Sequence, residues 1–293
     1  MSDTKYESYY VPEQSIWPAV GAVALFFIAF GAASLMGDMR GNGNGLGKPF
    51  LFTGLAVLVF FLWGWFRDMI NESLGGKYSH QVGQSYRQGM VWFIGSEVMF
   101  FAAFFGALFY LRNLSVPWLA GADNNAMTHA ILWADFVPSW PLISTPDGTV
   151  TTAMPPWGLP LINTILLVTS SITLTYAHHA LIDGNRKRLL RFMYITVALG
   201  STFLFFQAEE YIHAYTEMNL KLSSGVYGST FFMLTGFHGM HVTLGTIMLI
   251  VMTVRSFKNH FTAKNHFAFE AAAWYWHFVD VVWLGLYIFV YIL

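Results

Sequence analysis

Residues 225–254 read GVYGSTFFMLTGFHGMHVTLGTIMLIVMTV and contain no Lys, Arg, Asp or Glu. As a helix rising about 1.5 Å per residue, this run is longer than the ~30 Å hydrocarbon core of a bilayer. A helix satisfies its own backbone hydrogen bonds, so it can cross lipid without water. The stretch reads as a membrane span, and it sets the fold class: all-α and polytopic.

Six further segments meet the same rule of roughly 20 apolar residues per span. They are 16–36, 50–66, 89–111, 157–182, 189–208 and 271–293. Pro49 suits the first turn of the second span. Seven spans in one domain, 1–293, are therefore expected. Composition agrees, with 55% hydrophobic and only 11% charged residues, against about 25% charged in soluble domains. The net charge of −1 gives no basic field for nucleic acid. The absence of cysteine excludes disulfides, iron–sulfur clusters and thiolate-bound copper. The polar residues 1–15, with Lys5 as their one cation, do not resemble a cleavable signal peptide.

The loops orient the chain. With a cytoplasmic N-terminus, the inner segments hold Lys5, Arg67, Lys77, Arg87, Arg186, Lys187, Arg188, Arg191, Arg255, Lys258 and Lys264. The outer segments hold Arg40, Lys48, Arg112 and Lys221. That places 11 of 15 Lys and Arg inside, as the positive-inside rule requires. Seven spans then put the C-terminus outside. The outer loop 112–156 holds six of the ten prolines and reads as an irregular cap. The run GNGNGLG at 41–47 is an outer turn; no strand precedes it, so it is not a phosphate loop.

Several polar residues interrupt the spans. Glu97 stands eight residues into the third span, where an ionised carboxylate is expensive and a neutral acid is expected. It is either a proton-handling or lipid-facing carboxyl, or a protonated acid hydrogen-bonded in the bundle. His238 and His241 share a helix face at i, i+3. They are open to a metal reading, but Gly236 and Gly239 beside them suggest close helix packing. His277 and Asp280 are also i, i+3, and a bond between them would satisfy both. His178 and His179, as sequence neighbours, point apart. These histidines lie at different depths, so buried polar packing is the reading taken and no metal site is assigned. Glu209 and Glu210 read as an acidic rim at the outer surface. The inner clusters Arg186, Lys187, Arg188, Arg191 and Arg255, Lys258, His260 suit anionic headgroups.

Four stretches together carry a family resemblance. Residues 267–283 read FAFEAAAWYWHFVDVVW, and 160–181 read PLINTILLVTSSITLTYAHHAL. Residues 225–241 read GVYGSTFFMLTGFHGMH, and 93–105 read FIGSEVMFFAAFF. With Arg67-Asp68-Met69-Ile70 they resemble cytochrome c oxidase subunit III, of the haem–copper oxidase subunit III family, in the family's order.

The resemblance implies seven helices grouped as two plus five, with lipids in the cleft between. It implies an accessory subunit that binds no cofactor itself and supports proton uptake and the working life of a proton-pumping oxidase. The implied partners are a catalytic subunit I with haems and copper, a copper-bearing subunit II, phospholipids, and cytochrome c as donor. The implied location is a bacterial inner membrane. Glu97 matches the family's intramembrane glutamate. Arg67, Arg255 and His260 match its lipid-contacting cationic positions, and Trp63 a lipid-facing tryptophan. Residues 1–15 lack the histidine that some relatives carry there, leaving Asp3 and Glu7 as acids. The alternatives are subunit III of a quinol oxidase, which resembles this chain but usually lacks the first two spans, and a histidine-rich membrane di-iron enzyme. The second needs its histidines at one depth.

Overall fold

The computed structural model describes residues 10–11, 13–41, 43, 45–145 and 148–293; Asp3, Lys5 and Glu7 lie outside them. Among the described residues, seven helices are long and apolar enough to cross a membrane. They are α1 (Trp17–Met39), α2 (Gly47–Leu74), α3 (His80–Tyr110), α4 (Leu159–Ile182), α5 (Arg186–Thr216), α6 (Val226–Phe257) and α7 (Phe267–Leu286). The described residues form no strand, and Ser144 and Val150 make a lone antiparallel bridge.

The helices outrun the apolar segments. α2 continues to Leu74 and carries Arg67 and Asp68 on its helical surface. α5 starts at Arg186, where the Asn185 side chain accepts from the Arg188 amide at 3.1 Å, a capping bond for an orphan donor. Hydropathy marks where charge begins, whereas helical hydrogen bonding continues into water. α3 likewise extends past its apolar run. It widens into a π-turn at Leu111–Ser115, then continues as short helices Val116–Leu119, Asp123–Asn125 and Ala126–Leu132. The irregular part of the expected outer cap is therefore shorter, about 133–158.

The chain divides into two compact units, Met1–Tyr86 and Arg87–Leu293. The first holds the α1–α2 hairpin. A Cβ added at Gly31 would lie 2.3 Å from the Leu51 backbone nitrogen, and one at Gly54 would lie 2.6 Å from that of Ile28. Only hydrogen at these positions lets the two backbones approach so closely. Trp17 fills the space beside Gly64, and its indole N–H donates to Asp68 Oδ2 at 2.6 Å. Beyond α2, the Tyr78 hydroxyl donates to Glu72 Oε2 at 2.8 Å. Burial, then bonding with Tyr86 and Glu72, pushes that hydroxyl above the ordinary phenol range.

The second unit packs α4 to α7 and most of α3 around aromatic residues of α7. Trp276 and Trp283 are fully buried. Trp276 occupies a slot where a Cβ on Gly200 of α5 or Gly245 of α6 would approach its ring to 2.7 and 2.8 Å. Three polar bonds tie α7 to α4 at two levels. Trp276 Nε1 donates to Ser170 Oγ at 2.9 Å, and Trp283 Nε1 to Thr164 Oγ1 at 2.9 Å. His277 Nδ1 meets Ser171 Oγ at 2.5 Å. Indole N–H groups in an apolar interior need such acceptors.

Candidate functional site

Glu97, on α3, is half-buried in the second unit. Its Oε2 lies 2.9 Å from His241 Nε2 of α6. The other imidazole nitrogen, Nδ1, lies 2.6 Å from the Phe237 carbonyl oxygen one turn back on α6. Phe101 packs edge-on to the imidazole at 5.0 Å between centroids, and Tyr275 of α7 lies near-parallel to it at 6.3 Å. Glu97 thus has a titratable partner. Sequence reading missed it because the pair is 144 residues apart. The one available signal was that a lone buried acid needs a donor.

His238 does not join this pair. It is fully buried, and its Nε2 meets the Val279 carbonyl of α7 at 3.1 Å. The two histidines of α6 therefore serve different neighbours. Of the two glycines beside them, Gly239 has open space where a Cβ would stand, so it makes no close helix contact. His277 and Asp280 do not bond each other: His277 faces Ser171, and Asp280 Oδ1 has no hydrogen-bond partner. Ser171 intercepts the imidazole because α4 presents its hydroxyl at that level. His178 lies against His266 and Phe269, while His179 is exposed. No group of three or more metal-ligating side chains forms among the described residues.

The acidic pair on α5 splits. Glu209 is exposed, but Glu210 is only 1% exposed and accepts from Gln207 Nε2 at 3.3 Å. Glu210 is therefore an interior acid rather than part of a rim; adjacent helical positions point about 100° apart.

Two cationic places stand at helix ends. In the first unit, the Arg67 guanidinium lies 5.4 Å over the Trp63 ring, and both side chains are exposed. In the second, Arg255 is 6% exposed, lies 4.5 Å over the Phe261 ring, and leaves its buried Nε–H unpartnered. The nearby His260 has a buried, unpartnered Nδ1. Burial first, then Arg255 and Lys258, holds His260 below the ordinary imidazole range. Arg186, by contrast, donates to the Phe257 carbonyl at the end of α6, and Arg87 pairs with Glu270 at 2.7 Å.

Seven spanning helices, polar groups used largely for packing, and cations gathered at helix ends define a multi-pass helical membrane protein. Comparison with known proteins makes this specific. The family described as Cytochrome c oxidase subunit III matches residues 7–122 and 125–293. Proteins named cytochrome c oxidase subunit 3 from Hippopotamus amphibius and Phoca vitulina are each 41% identical over 285 residues, 97% of this chain and 96% of theirs. The protein of that name from Latimeria chalumnae is 40% identical over the same share. The chain belongs to the cytochrome c oxidase subunit III family.

Proposed function

We propose that the chain is a non-redox accessory subunit of an aerobic respiratory cytochrome c oxidase, working in electron transport from cytochrome c to oxygen. Its work is to hold phospholipid, support proton uptake and prolong the life of the catalytic subunit. Membership of the family makes it a subunit of an oxidoreductase complex. Haems and copper belong, in this reading, to subunits I and II. The membrane, in this reading, is a bacterial inner membrane, and the 11-to-4 charge split supports a cytoplasmic N-terminus and a periplasmic C-terminus. Reporter fusions after Leu293 that are active only in the cytoplasm would refute that orientation.

The observation that carries the lipid reading is Arg255. A guanidinium this buried, with an unmatched N–H, calls for an anion. His260 beside it is a second donor, and Phe261 supplies an apolar wall. Exposed Arg67 and Trp63 offer a cation and a flat apolar ring, which suits a headgroup above an acyl chain. Replacing Arg255 and Arg67 by Gln together should lower the phospholipid retained by the purified oxidase and shorten its turnover lifetime, while initial turnover persists. Unchanged lipid content in the double variant would remove the reading.

Glu97 belongs to the proton-handling part of the proposal. It lies far from the cationic ends of α2 and α6 in sequence, and its partner is a histidine rather than a Lys or Arg. Initial oxygen reduction should survive Glu97→Gln, with losses confined to proton supply or durability.

A further inference from the structure

The hydrogen bonds around His241 count the protons between it and Glu97. The Phe237 carbonyl oxygen can only accept, so His241 Nδ1, 2.6 Å away, carries a hydrogen and donates it. That leaves Nε2 facing Glu97 Oε2 at 2.9 Å. A bare Nε2 lone pair and a bare carboxylate oxygen would repel at that distance. One proton therefore lies between them. It sits either on the carboxyl, donating to Nε2, or on the imidazole, donating to the carboxylate. Both arrangements have the same net charge, zero.

We infer that Glu97 and His241 form a one-proton dyad that is closed on its imidazole side, so that protons enter or leave it only through the Glu97 carboxyl. An imidazole relays protons by taking one at one nitrogen and releasing another from the second. Here the second nitrogen is committed to the carbonyl of its own helix. Glu97 is also the less enclosed of the two, its side chain 21% exposed against 7% for His241. The dyad is a store and not a wire. His241 is a positioning residue, and its role is to hold the carboxyl with its proton.

Aromatic rings surround the pair. Phe101 and Phe100 wall the imidazole on the α3 side. The nearby titratable groups are Tyr275 on α7 and His238 on α6, and the second is committed to Val279. On α3, the Ser96 hydroxyl donates to the Phe93 carbonyl and is not directed to the pair. No other side chain among the described residues forms an ion pair with either member. The inference shares Glu97 with the proposed proton-handling role but stands on the local geometry alone.

The test is infrared spectroscopy of the intact purified oxidase, grown with isotope-labelled histidine and compared in H2O and D2O. Subtracting Glu97→Gln from the wild type isolates the imidazole facing residue 97. The expected difference contains one H/D-sensitive feature: either a protonated carboxyl with an Nδ1–H neutral imidazole, or a carboxylate with an imidazolium. A carboxylate paired with neutral imidazole would overturn the dyad, as would an Nε2–H neutral tautomer. His241→Gln should erase the same feature, and a feature that survived it would overturn the pairing. The wild-type tautomer decides the matter even if that variant does not assemble. Gln at 97 can still donate to Nε2, so Glu97→Gln should assemble normally. Abolished turnover in that assembled variant would sink the accessory-subunit reading, while the infrared signature would still judge the dyad.

Discussion

Both units of the molecule use glycine to bring helices together, but to opposite ends. In the α1–α2 hairpin, Gly31 and Gly54 face the backbone of the opposing helix, at 2.3 and 2.6 Å from a would-be Cβ. In the five-helix unit, Gly200 and Gly245 face the ring of Trp276 instead. The first arrangement joins two helices by backbone proximity and leaves their side chains outside: α1 buries only Gly21, Ala24 and Gly31. The second makes room for an indole and then ties that indole to Ser170. Lipid gives no hydrophobic force between helices, so close packing and interior hydrogen bonds must do the work. The hairpin relies on the first and the larger unit adds the second. Titratable groups inside the membrane gather accordingly in the larger unit.

The comparison breaks most visibly at Trp276. Trp276→Ala should cost about 3–5 kcal/mol by emptying the slot between Gly200 and Gly245, read as a lower unfolding temperature of the purified oxidase. A loss below that range would mean the slot collapses and the indole is not the keystone. Gly31→Leu should cost about 1–3 kcal/mol, since the backbones must separate. The chain has no cysteine, so cysteines placed at Phe27 and Phe50, whose rings stack at 5.5 Å, report the separation. Undiminished crosslinking in Gly31→Leu would show that the hairpin does not depend on that contact. Trp276→Phe keeps most of the volume and removes the indole N–H, so about 0.5–1.5 kcal/mol should be lost. A cost equal to that of Ala would mean that the bond to Ser170, not the filled volume, dominates.

The smallest effect concerns His260. Its pKa is depressed, so the folded chain binds fewer protons there than the unfolded chain. The group's contribution to stability is full above the ordinary imidazole range and is lost as pH falls from that range through the folded value. A bound anionic headgroup opposes this by favouring the charged ring. Delipidated oxidase should therefore lose up to about 1 kcal/mol more on acidification than the lipid-replete enzyme. His260→Gln should remove the difference. An acid sensitivity independent of lipid would separate His260 from the headgroup site.

The span count was legible because a charge-free run such as 225–254 has one stable form in lipid. Helix ends were less so: α2 and α5 continue through charged residues that the apolar criterion discards. Glu97 was identifiable as an unusual residue from its surroundings in sequence. Its partner was not, because nothing local relates residue 97 to residue 241. The His277–Asp280 pairing failed for the same reason, since a hydroxyl on α4 reached the imidazole first. Glu210 was misjudged by proximity to Glu209, although a rotation of one helical position separates exposed from buried.

The bonds from α7 to α4 also bear on the order of synthesis. Trp276 and Ser170 are 106 residues apart, and Trp283 and Thr164 are 119 apart. At about 5–20 residues per second, α4 leaves the ribosome roughly 5–20 s before its partners exist. The glycine-lined slot is complete only once Gly245 of α6 has been made, 31 residues before Trp276, and it stays without its indole until Trp276 follows. The five-helix unit can therefore close only when its last helix enters the membrane. Until then, α4 to α6 are an incomplete folding intermediate.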